Sequence, residues 1–381
     1  MDTGTPGELV QLLTPEGERV EHPDYSIDLS DSDYRALYRD LTLVRRIDLE
    51  ATALQRQGEL GLWASLLGQE AAQVGSGRAL EADDYAFPTY REHGVAYARG
   101  VDPLRLLALF RGVSNGGWDP QEKNFALYTI VIGNQCLHAV GYAMGMQMDQ
   151  ARAHADHSGA VIAYFGDGAS SQGDVNEAFI FAASFNAPVV FFCQNNQWAI
   201  SEPLEKQTRV PLYRRAAGFG FDGVRVDGND VLAVHAVTSK HLADARAGGG
   251  PSMIEAFTYR MGAHTTSDDP SRYRLASDLE AWRLKDPIER VRSFLWRQQL
   301  ADQSFFDEVD ADAEALAIGL RQGCRALPDP DPDLMFANVY AEPHQQVEEQ
   351  RSAFADYLAS FDASLDSAAL PGSAAGAEVR S

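Results

Sequence analysis

The chain has 381 residues, of which 45% are hydrophobic, and its 55 acidic and 32 basic side chains give a net charge of −23. A chain of this length and composition can bury a full core, which excludes a wholly disordered protein. The strong negative charge disfavours a nucleic-acid partner, because binding to phosphates needs a basic surface.

Cysteine content and hydropathy limit the cellular setting. Three scattered cysteines without a CxxC pair predict neither a disulfide framework nor a zinc site. The first residues, MDTGTPGELVQLL, have no basic region and only a short apolar stretch, so we do not expect a signal peptide. No stretch approaches the roughly 18 apolar residues that span a bilayer. We therefore expect a cytoplasmic protein without a membrane partner.

Composition divides the chain into two acidic ends and a nearly neutral middle. Residues 1–40 hold ten acids against three arginines, and residues 301–381 hold sixteen acids against four arginines. Proline and glycine in the first segment predict a flexible N-terminal arm over residues 1–29. We expect one folded domain over residues 30–345 that ends in helices, then a C-terminal helix and a disordered tail over residues 346–381.

Helical patterns fill the first part of the predicted domain. Ser30–Asp33 is typical of a helix cap, and apolar residues from Tyr34 to Ile47 recur at helical spacing. Further helices are predicted over Gln69–Leu80 and Pro103–Phe110. Between them, FPTYREHG (87–94) predicts a polar, aromatic-rich break.

The centre of the chain changes to strands. Val161–Phe165 and Val189–Cys193 are apolar runs separated by the helical segment Asp174–Phe185. Two consecutive apolar strands joined through a helix indicate a parallel sheet covered on both faces. The predicted fold class is therefore α/β, with a mostly parallel sheet, helices on both faces, and helical N- and C-terminal extensions. Further strands are predicted at 224–226 and 252–258, and further helices at 230–246, 277–300 and 304–324.

Polar side chains follow the two central strands at their carboxyl ends. Asp167 ends the first strand and Asn196 lies just past the second, and such ends meet in one crevice of a parallel sheet. A carboxylate and an amide oxygen suit Mg²⁺, which takes further ligands from phosphate and water. Either motif alone also fits an ordinary turn at a polar strand end.

Together these motifs indicate a family. The spacing GDG, 26 residues, then Asn195-Asn196 matches the thiamine-diphosphate fingerprint, and residues 166–201 resemble the alpha subunit of the decarboxylating component of 2-oxo acid dehydrogenase complexes. FPTYREHG, the Ala139–Gly145 stretch and YRMGAHTTSDDPSRYR (259–274) have counterparts in the same order. The resemblance spans roughly residues 30–345, and implies a thiamine-diphosphate-binding fold with thiamine diphosphate and Mg²⁺ as cofactors.

The resemblance also implies where the metal and the diphosphate bind. Asp167, Asn196 and the main-chain carbonyl of Trp198 fall at the positions of the family's magnesium ligands. Trp198 replaces a usual tyrosine, which matters little for a main-chain ligand. The positions that correspond to diphosphate contacts are Tyr90, Arg91, Gly168 and Ala169. Arg91 could instead pair with a surface acid.

Two other positions bear on the cofactor. Ile130 and Ile132 fall where the family holds the aminopyrimidine by backbone atoms and wedges the cofactor into its bent shape. A buried β-branched residue serves as that wedge, although a plain core residue would look the same. Gln194 stands where many relatives have arginine, which removes one positive charge from the diphosphate site.

His264 is the candidate catalytic residue. It lies in a loop of hydroxyl and charged side chains, and its near-neutral pKa suits proton transfer. In the family the matching histidine borders the cofactor channel and assists transfer of the acyl group to lipoamide. The alternative is an ordinary surface-loop histidine. Thr265 occupies the position of a regulatory phosphoserine in animal relatives, so that regulation is not implied here.

The resemblance implies an incomplete active site. In the family a glutamate of a separate beta chain activates the cofactor, so we expect an alpha2-beta2 heterotetramer bound to a lipoyl-bearing acyltransferase. The expected activity is oxidative decarboxylation of small-molecule 2-oxo acids. QLLTPEGERV, GWDPQEKNF and YAEP (340–343) favour branched-chain substrates over pyruvate.

Other classes remain as alternatives. An acetoin-cleaving enzyme is a less favoured member of the same family. A non-catalytic scaffold subunit would not need Asp167, Asn196 and His264 together. A nucleotide-dependent dehydrogenase would need the GxGxxG fingerprint with its downstream acid, which this sequence lacks.

Overall fold

The computed structural model of the protein describes residues 9–153 and 159–367. The predicted tail beyond residue 367 lies outside the described residues. The strands are β1 (Leu9–Val10), β2 (Tyr85–Phe87), β3 (Val161–Gly166), β4 (Val189–Asn195), β5 (Trp198–Ala199), β6 (Glu202–Pro203), β7 (Asp222–Asp227) and β8 (Ser252–Phe257). The helices are α1 (Asp31–Arg56), α2 (Glu70–Arg78), α3 (His93–Ala98), α4 (Pro103–Arg111), α5 (Pro120–Lys123), α6 (Asn134–Ala153), α7 (Gly173–Phe185), α8 (Leu204–Gln207), α9 (Arg215–Phe219), α10 (Val231–Arg246), α11 (Ala276–Arg283), α12 (Pro287–Arg297), α13 (Gln303–Ala326), α14 (Leu334–Ala337) and α15 (Gln345–Ser367).

Six strands form one parallel sheet in the order β1-β7-β8-β4-β3-β2. Helices α2 and α10 pack on one face, while α6, α7 and α9 pack on the other. Every residue of β4 is buried, as expected for a strand covered on both sides. The predicted α/β class is confirmed. The register pairs Gly166 with Gln194, so β3 and β4 end side by side.

The described part of the predicted N-terminal arm is packed rather than flexible. Leu9 and Val10 pair in parallel with Arg225 and Val226, and Leu12 and Leu13 are buried. The Asp230 carboxylate accepts hydrogen bonds from both leucine amides, at 2.7 and 2.6 Å. The expectation of an unpacked segment is therefore wrong from Leu9 to Leu13. This short apolar stretch pairs with the edge of the sheet at β7, and the local sequence does not show that pairing.

Two helices begin at side chains that cap them. Ser30 caps α1 in a capping box with Asp33, as predicted. The single helix expected over 277–300 is wrong: it breaks into α11 and α12. Asp286 caps the second helix and Pro287 lies in its first turn, where a missing amide costs no hydrogen bond.

The chain divides into two compact units between Leu327 and Pro328. In the second unit, the ring centre of Phe336 lies 6.0 Å from that of Phe354 in α15, which is the expected C-terminal helix. This division falls earlier than the boundary expected at residue 345. Among the described residues, no helix combines the length and the apolarity needed to cross a membrane.

Candidate active site

A cavity of about 290 Å³ opens at the carboxyl ends of β3 and β4, where a parallel sheet is expected to bind its ligand. It brings together residues that are far apart in sequence, from Gln69 to His264. Apart from Ile130, all the site residues predicted from the sequence line it: Tyr90, Arg91, Ile132, Asp167, Gly168, Ala169, Asn196, Trp198 and His264.

Asp167 lies at the floor of this cavity. Its side chain is buried, and burial raises the pKa of the carboxyl group to about 6. Gln207 donates a hydrogen bond from Nε2 to Asp167 Oδ2 at 3.1 Å, and the main-chain amide of Asn196 also favours the ionised carboxylate. A bound cation would favour the charged form further, so this carboxylate suits a metal ligand.

The turn after β4 presents the second set of oxygens. Asn196 is buried, and its Nδ2 donates to Gln69 Oε1 at 3.1 Å, while the main-chain amide of Trp198, which can only donate, fixes the side of the Asn196 amide that carries the oxygen. Asn196 Oδ1 accepts from the amide of Trp198 at 3.2 Å. Gln197 and Ile200 have φ values of 69° and 55°, a left-handed backbone that non-glycine residues adopt only when the surroundings impose it.

Gly168 allows this turn to approach the Asp167 segment. A Cβ atom at Gly168 would lie 2.7 Å from the Cβ of Ala199, so any side chain here would push the two segments apart. The close approach keeps Asp167 and Asn196 at one end of the cavity.

The donors at this end fit a hard cation. Asp167, Asn196 and the Trp198 carbonyl offer only oxygen atoms, which Mg²⁺ prefers. The Trp198 carbonyl accepts a hydrogen bond from Arg260 Nη1 at 3.2 Å and keeps a second lone pair. In the described residues, no group of three or more His, Cys, Asp or Glu side chains converges anywhere, so a cation here would rely on amide and carbonyl oxygens and on the ligand's own phosphates.

Arg91 connects the cavity wall to the His264 loop. The side chain is buried, and Arg91 donates from Nη1 to the Ser65 carbonyl at 2.5 Å and from Nη2 to the His264 carbonyl at 2.9 Å. The guanidinium also lies over the Tyr90 ring, 5.5 Å from its centre. Arg91 is therefore a buried cation at the cavity rather than the partner of a surface acid.

Two arginines control the protonation of His264. Nδ1 lies 3.2 Å from Arg91 Nη2 and 3.3 Å from Arg260 Nη1. Burial, with the charges of Arg91 and Arg260, lowers the pKa of His264 to about 4. Because a guanidinium can only donate, Nδ1 accepts, and the single ring proton of the neutral imidazole lies on Nε2. His264 therefore offers an N–H donor and no positive charge at neutral pH.

Gln194 is held within the cavity wall. Its Nε2 donates to Glu92 Oε1 at 2.5 Å, and its Oε1 accepts from Gln73 Nε2 at 3.1 Å. Burial raises the pKa of the Glu92 carboxyl group. The amide thus satisfies a buried acid, and in this sequence the position adds no positive charge to the cavity.

The loop with Ile130 and Ile132 differs from the expected buried wedge. Ile130 is 73% exposed and does not line the cavity, while Ile132 lines it but is 41% exposed. Val131 between them is 69% exposed. Neither isoleucine is a buried wedge in this chain by itself, and the cavity has an apolar, uncovered rim.

Several residues at the site were missed by sequence reasoning. Glu92 and Arg260 lie within the motifs FPTYREHG and YRMGAHTT, so their positions next to Arg91 and four residues before His264 could have pointed to them. Gln207 ends the short helix α8, which has no recognisable sequence pattern, and its contact with Asp167 is visible only in the fold.

Comparisons with known proteins identify the family of this chain. Residues 38–318, well over half of the chain, match the family described as "Dehydrogenase E1 component". The chain is 44% identical over 356 residues to a 3-methyl-2-oxobutanoate dehydrogenase subunit alpha of Mycobacterium tuberculosis, covering 93% of this chain and 95% of the relative. It is 39% identical over 316 residues to a pyruvate dehydrogenase E1 component subunit alpha of Staphylococcus aureus, covering 82% and 84% of the two chains. A Bacillus cereus protein of the same pyruvate type is 38% identical over 309 residues, or 81% of each chain. The chain therefore belongs to the dehydrogenase E1 component family, whose members depend on thiamine diphosphate.

Proposed function

We propose that this chain is the alpha subunit of an enzyme that decarboxylates 2-oxo acids and passes the acyl group to a lipoyl group of an acyltransferase component. The observation that carries the proposal is one cavity whose wall includes Asp167, Asn196, Arg91 and His264. Membership of the family supports the same activity.

The cofactors that fit this cavity are thiamine diphosphate and Mg²⁺. Asp167, Asn196 and the Trp198 carbonyl would hold the ion, and Tyr90, Arg91, Gly168 and Ala169 would hold the diphosphate. Thiamine diphosphate supplies the nucleophilic carbon and the electron sink for decarboxylation. The chain itself would bind and orient the cofactor and exclude water from the buried end of the cavity.

His264 acts near the transferred group. Its Nε2 carries the ring proton, because Nδ1 faces Arg91 and Arg260. A fixed N–H donor can stabilise negative charge that develops on an oxygen or sulfur atom during acyl transfer. Arg91 holds the loop in place through the His264 carbonyl.

The favoured substrate is a branched-chain 2-oxo acid such as 3-methyl-2-oxobutanoate. The branched-chain relative matches at higher identity and over more of the chain than the pyruvate relatives do. Pyruvate is the second candidate, and its support is the 39% identity to the Staphylococcus aureus protein.

The partner is a beta chain in an alpha2-beta2 heterotetramer. The exposed rim at Ile130–Ile132 supports a second chain over the cavity mouth, because an apolar surface beside a ligand site is seldom left to water. On α7, Ile180 and Phe181 are also exposed. We propose a cytoplasmic location, since the three cysteines are buried and unpaired and need no oxidising compartment.

The test is co-expression with a cognate beta chain, followed by decarboxylation assays with 3-methyl-2-oxobutanoate and with pyruvate. We expect turnover only from the assembled protein, and faster turnover with the branched substrate. Turnover by the purified alpha chain alone would contradict the shared active site. An assembled protein that binds thiamine diphosphate but decarboxylates neither acid would favour a scaffold or another reaction.

A further inference from the structure

A residue outside the predicted motifs contacts the carboxylate at the cavity floor. Gln207 ends the short helix α8 and lies forty positions beyond Asp167 in sequence, yet its Nε2 donates to Asp167 Oδ2 at 3.1 Å. Within the described part of the chain, no other side chain donates a hydrogen bond to this carboxylate. The contact is therefore the one side-chain interaction that sets how the carboxylate is rotated.

One arginine fastens the Gln207 segment to the Asp167 turn. Arg215 donates from Nη1 to the carbonyl of Ser170 at 2.9 Å and to Ser170 Oγ at 3.2 Å, and from Nη2 to the carbonyl of Gln207 at 3.4 Å. Ser170 Oγ in turn donates to the Asp167 carbonyl at 2.6 Å. The main chains on both sides of the Gln207–Asp167 contact are thus fixed by the same guanidinium.

We propose that Gln207 is a positioning residue for the metal-binding carboxylate. Its amide holds Oδ2 and would fix the plane of the carboxylate before an ion binds. Partners of this kind orient a metal ligand without touching the metal, and removing one typically weakens metal affinity about 10- to 100-fold. The inference rests on the proposed Mg²⁺ site at Asp167.

The side-chain type fits this task. Glutamine offers an N–H donor without charge, so it orients the carboxylate and leaves its negative charge for the cation. An arginine or lysine in the same place would neutralise Asp167 and compete with Mg²⁺.

The experiment measures Mg²⁺ dependence in the assembled alpha–beta protein. Calorimetry gives thiamine diphosphate binding as a function of Mg²⁺ concentration for the wild type, for the near-isosteric Gln207→Met and for Gln207→Ala. Glu205→Ala is the matched control, because Glu205 is exposed on the same helical turn and makes no contact with Asp167. We expect the Mg²⁺ half-saturation concentration to rise about 10- to 100-fold in both Gln207 variants and to stay unchanged in the control.

A second readout separates positioning from a general structural role. Saturating Mg²⁺ should restore thiamine diphosphate affinity in the Gln207 variants, and the melting temperature of the cofactor-free protein should stay within about 2 °C of the wild type, since one partly exposed hydrogen bond is lost. Equal Mg²⁺ half-saturation in Gln207→Met and wild type would overturn the inference, as would an equal shift in Glu205→Ala. A wild type that binds thiamine diphosphate without any Mg²⁺ dependence would instead remove the metal site itself, and the inference with it.

Discussion

The two ends of the cavity differ in how completely this chain builds them. At the floor, Asp167 and Asn196 are buried, and each side chain has a hydrogen-bond partner within the chain. At the rim, Ile130 and Val131 are about 70% exposed. The floor is finished by the fold of one chain, whereas the rim offers apolar surface that a second chain can cover. Binding of metal and diphosphate should therefore depend on this chain, and turnover should depend on assembly.

The largest expected effect is at the floor. Asp167→Ala should abolish retention of thiamine diphosphate, because the cation loses its carboxylate ligand. Asp167→Asn should do the same and also stabilise the cofactor-free protein. The folded pKa of about 6 lies above the unfolded value, so the cost of ionising the buried carboxyl is absent at low pH and complete above pH 6. The gain should be about 1–3 kcal/mol at pH 7.5, measured by urea unfolding.

A control distinguishes this result from a general effect of charge. Asp174→Asn removes an acid from the start of α7, outside the cavity. It should retain the cofactor. Unchanged cofactor affinity in Asp167→Ala would refute the metal assignment and the completeness of the floor.

The floor was also the part most readily predicted from sequence. Val161–Phe165 and Val189–Cys193 are apolar runs with clear ends, so the polar residues that follow them could be assigned to one sheet edge. The rim could not be predicted in this way. Burial of Ile130 and Ile132 depends on surfaces far away in sequence or in another chain. The sequence alone does not distinguish an isoleucine in a cavity wall from an isoleucine at a subunit interface.

Short elements and long-range contacts were missed for the same reason. β1 has two residues, and its parallel pairing with β7 crosses more than two hundred positions. Gln207 contacts Asp167 from the end of the four-residue helix α8. Neither has a periodic sequence pattern from which it could be predicted. Helices with a capping residue, such as α1 with Ser30, can be predicted from the local sequence.

His264 tests the upper part of the cavity. His264→Ala should reduce the rate of lipoyl acylation by about 10²- to 10⁴-fold in the assembled protein, because a positioned N–H donor is lost. Thiamine diphosphate affinity should change far less, since Asp167, Asn196 and Arg91 remain. Thr265→Ala is the control in the same loop and should acylate at the wild-type rate. Wild-type acylation by His264→Ala would reduce His264 to a structural residue.

Val131 tests the rim directly. Val131→Asp should weaken association with the beta chain by about tenfold or more, because a buried carboxylate without a partner is costly. The alpha chain alone should fold and melt as the wild type does, since this side chain is already in water. Analytical ultracentrifugation of mixed chains gives the association constant. Leu284→Asp, at an 80% exposed position outside the cavity, is the comparison, and equal association by Val131→Asp and wild type would show that the rim is not an interface.

The smallest expected effect is the pH dependence that His264 adds to stability. The histidine pKa is about 4 in the folded protein and 6.5 in the unfolded chain, so between these values the unfolded state binds the extra proton. The contribution of neutral His264 to the free energy of unfolding is present above pH 6.5 and is lost as the pH falls towards 4. Replacing the ring by His264→Gln should remove this loss, so the wild type should fall relative to the variant by about 1–2 kcal/mol from pH 7.5 to pH 4.5. His93 and His241 also have lowered pKa values, and Asp167 has a raised one, but all three are present in both proteins and cancel in the difference. Urea unfolding at both pH values measures that difference. A difference independent of pH would mean that His264 has the same pKa in the folded and in the unfolded chain, so that burial and the two arginines do not lower it.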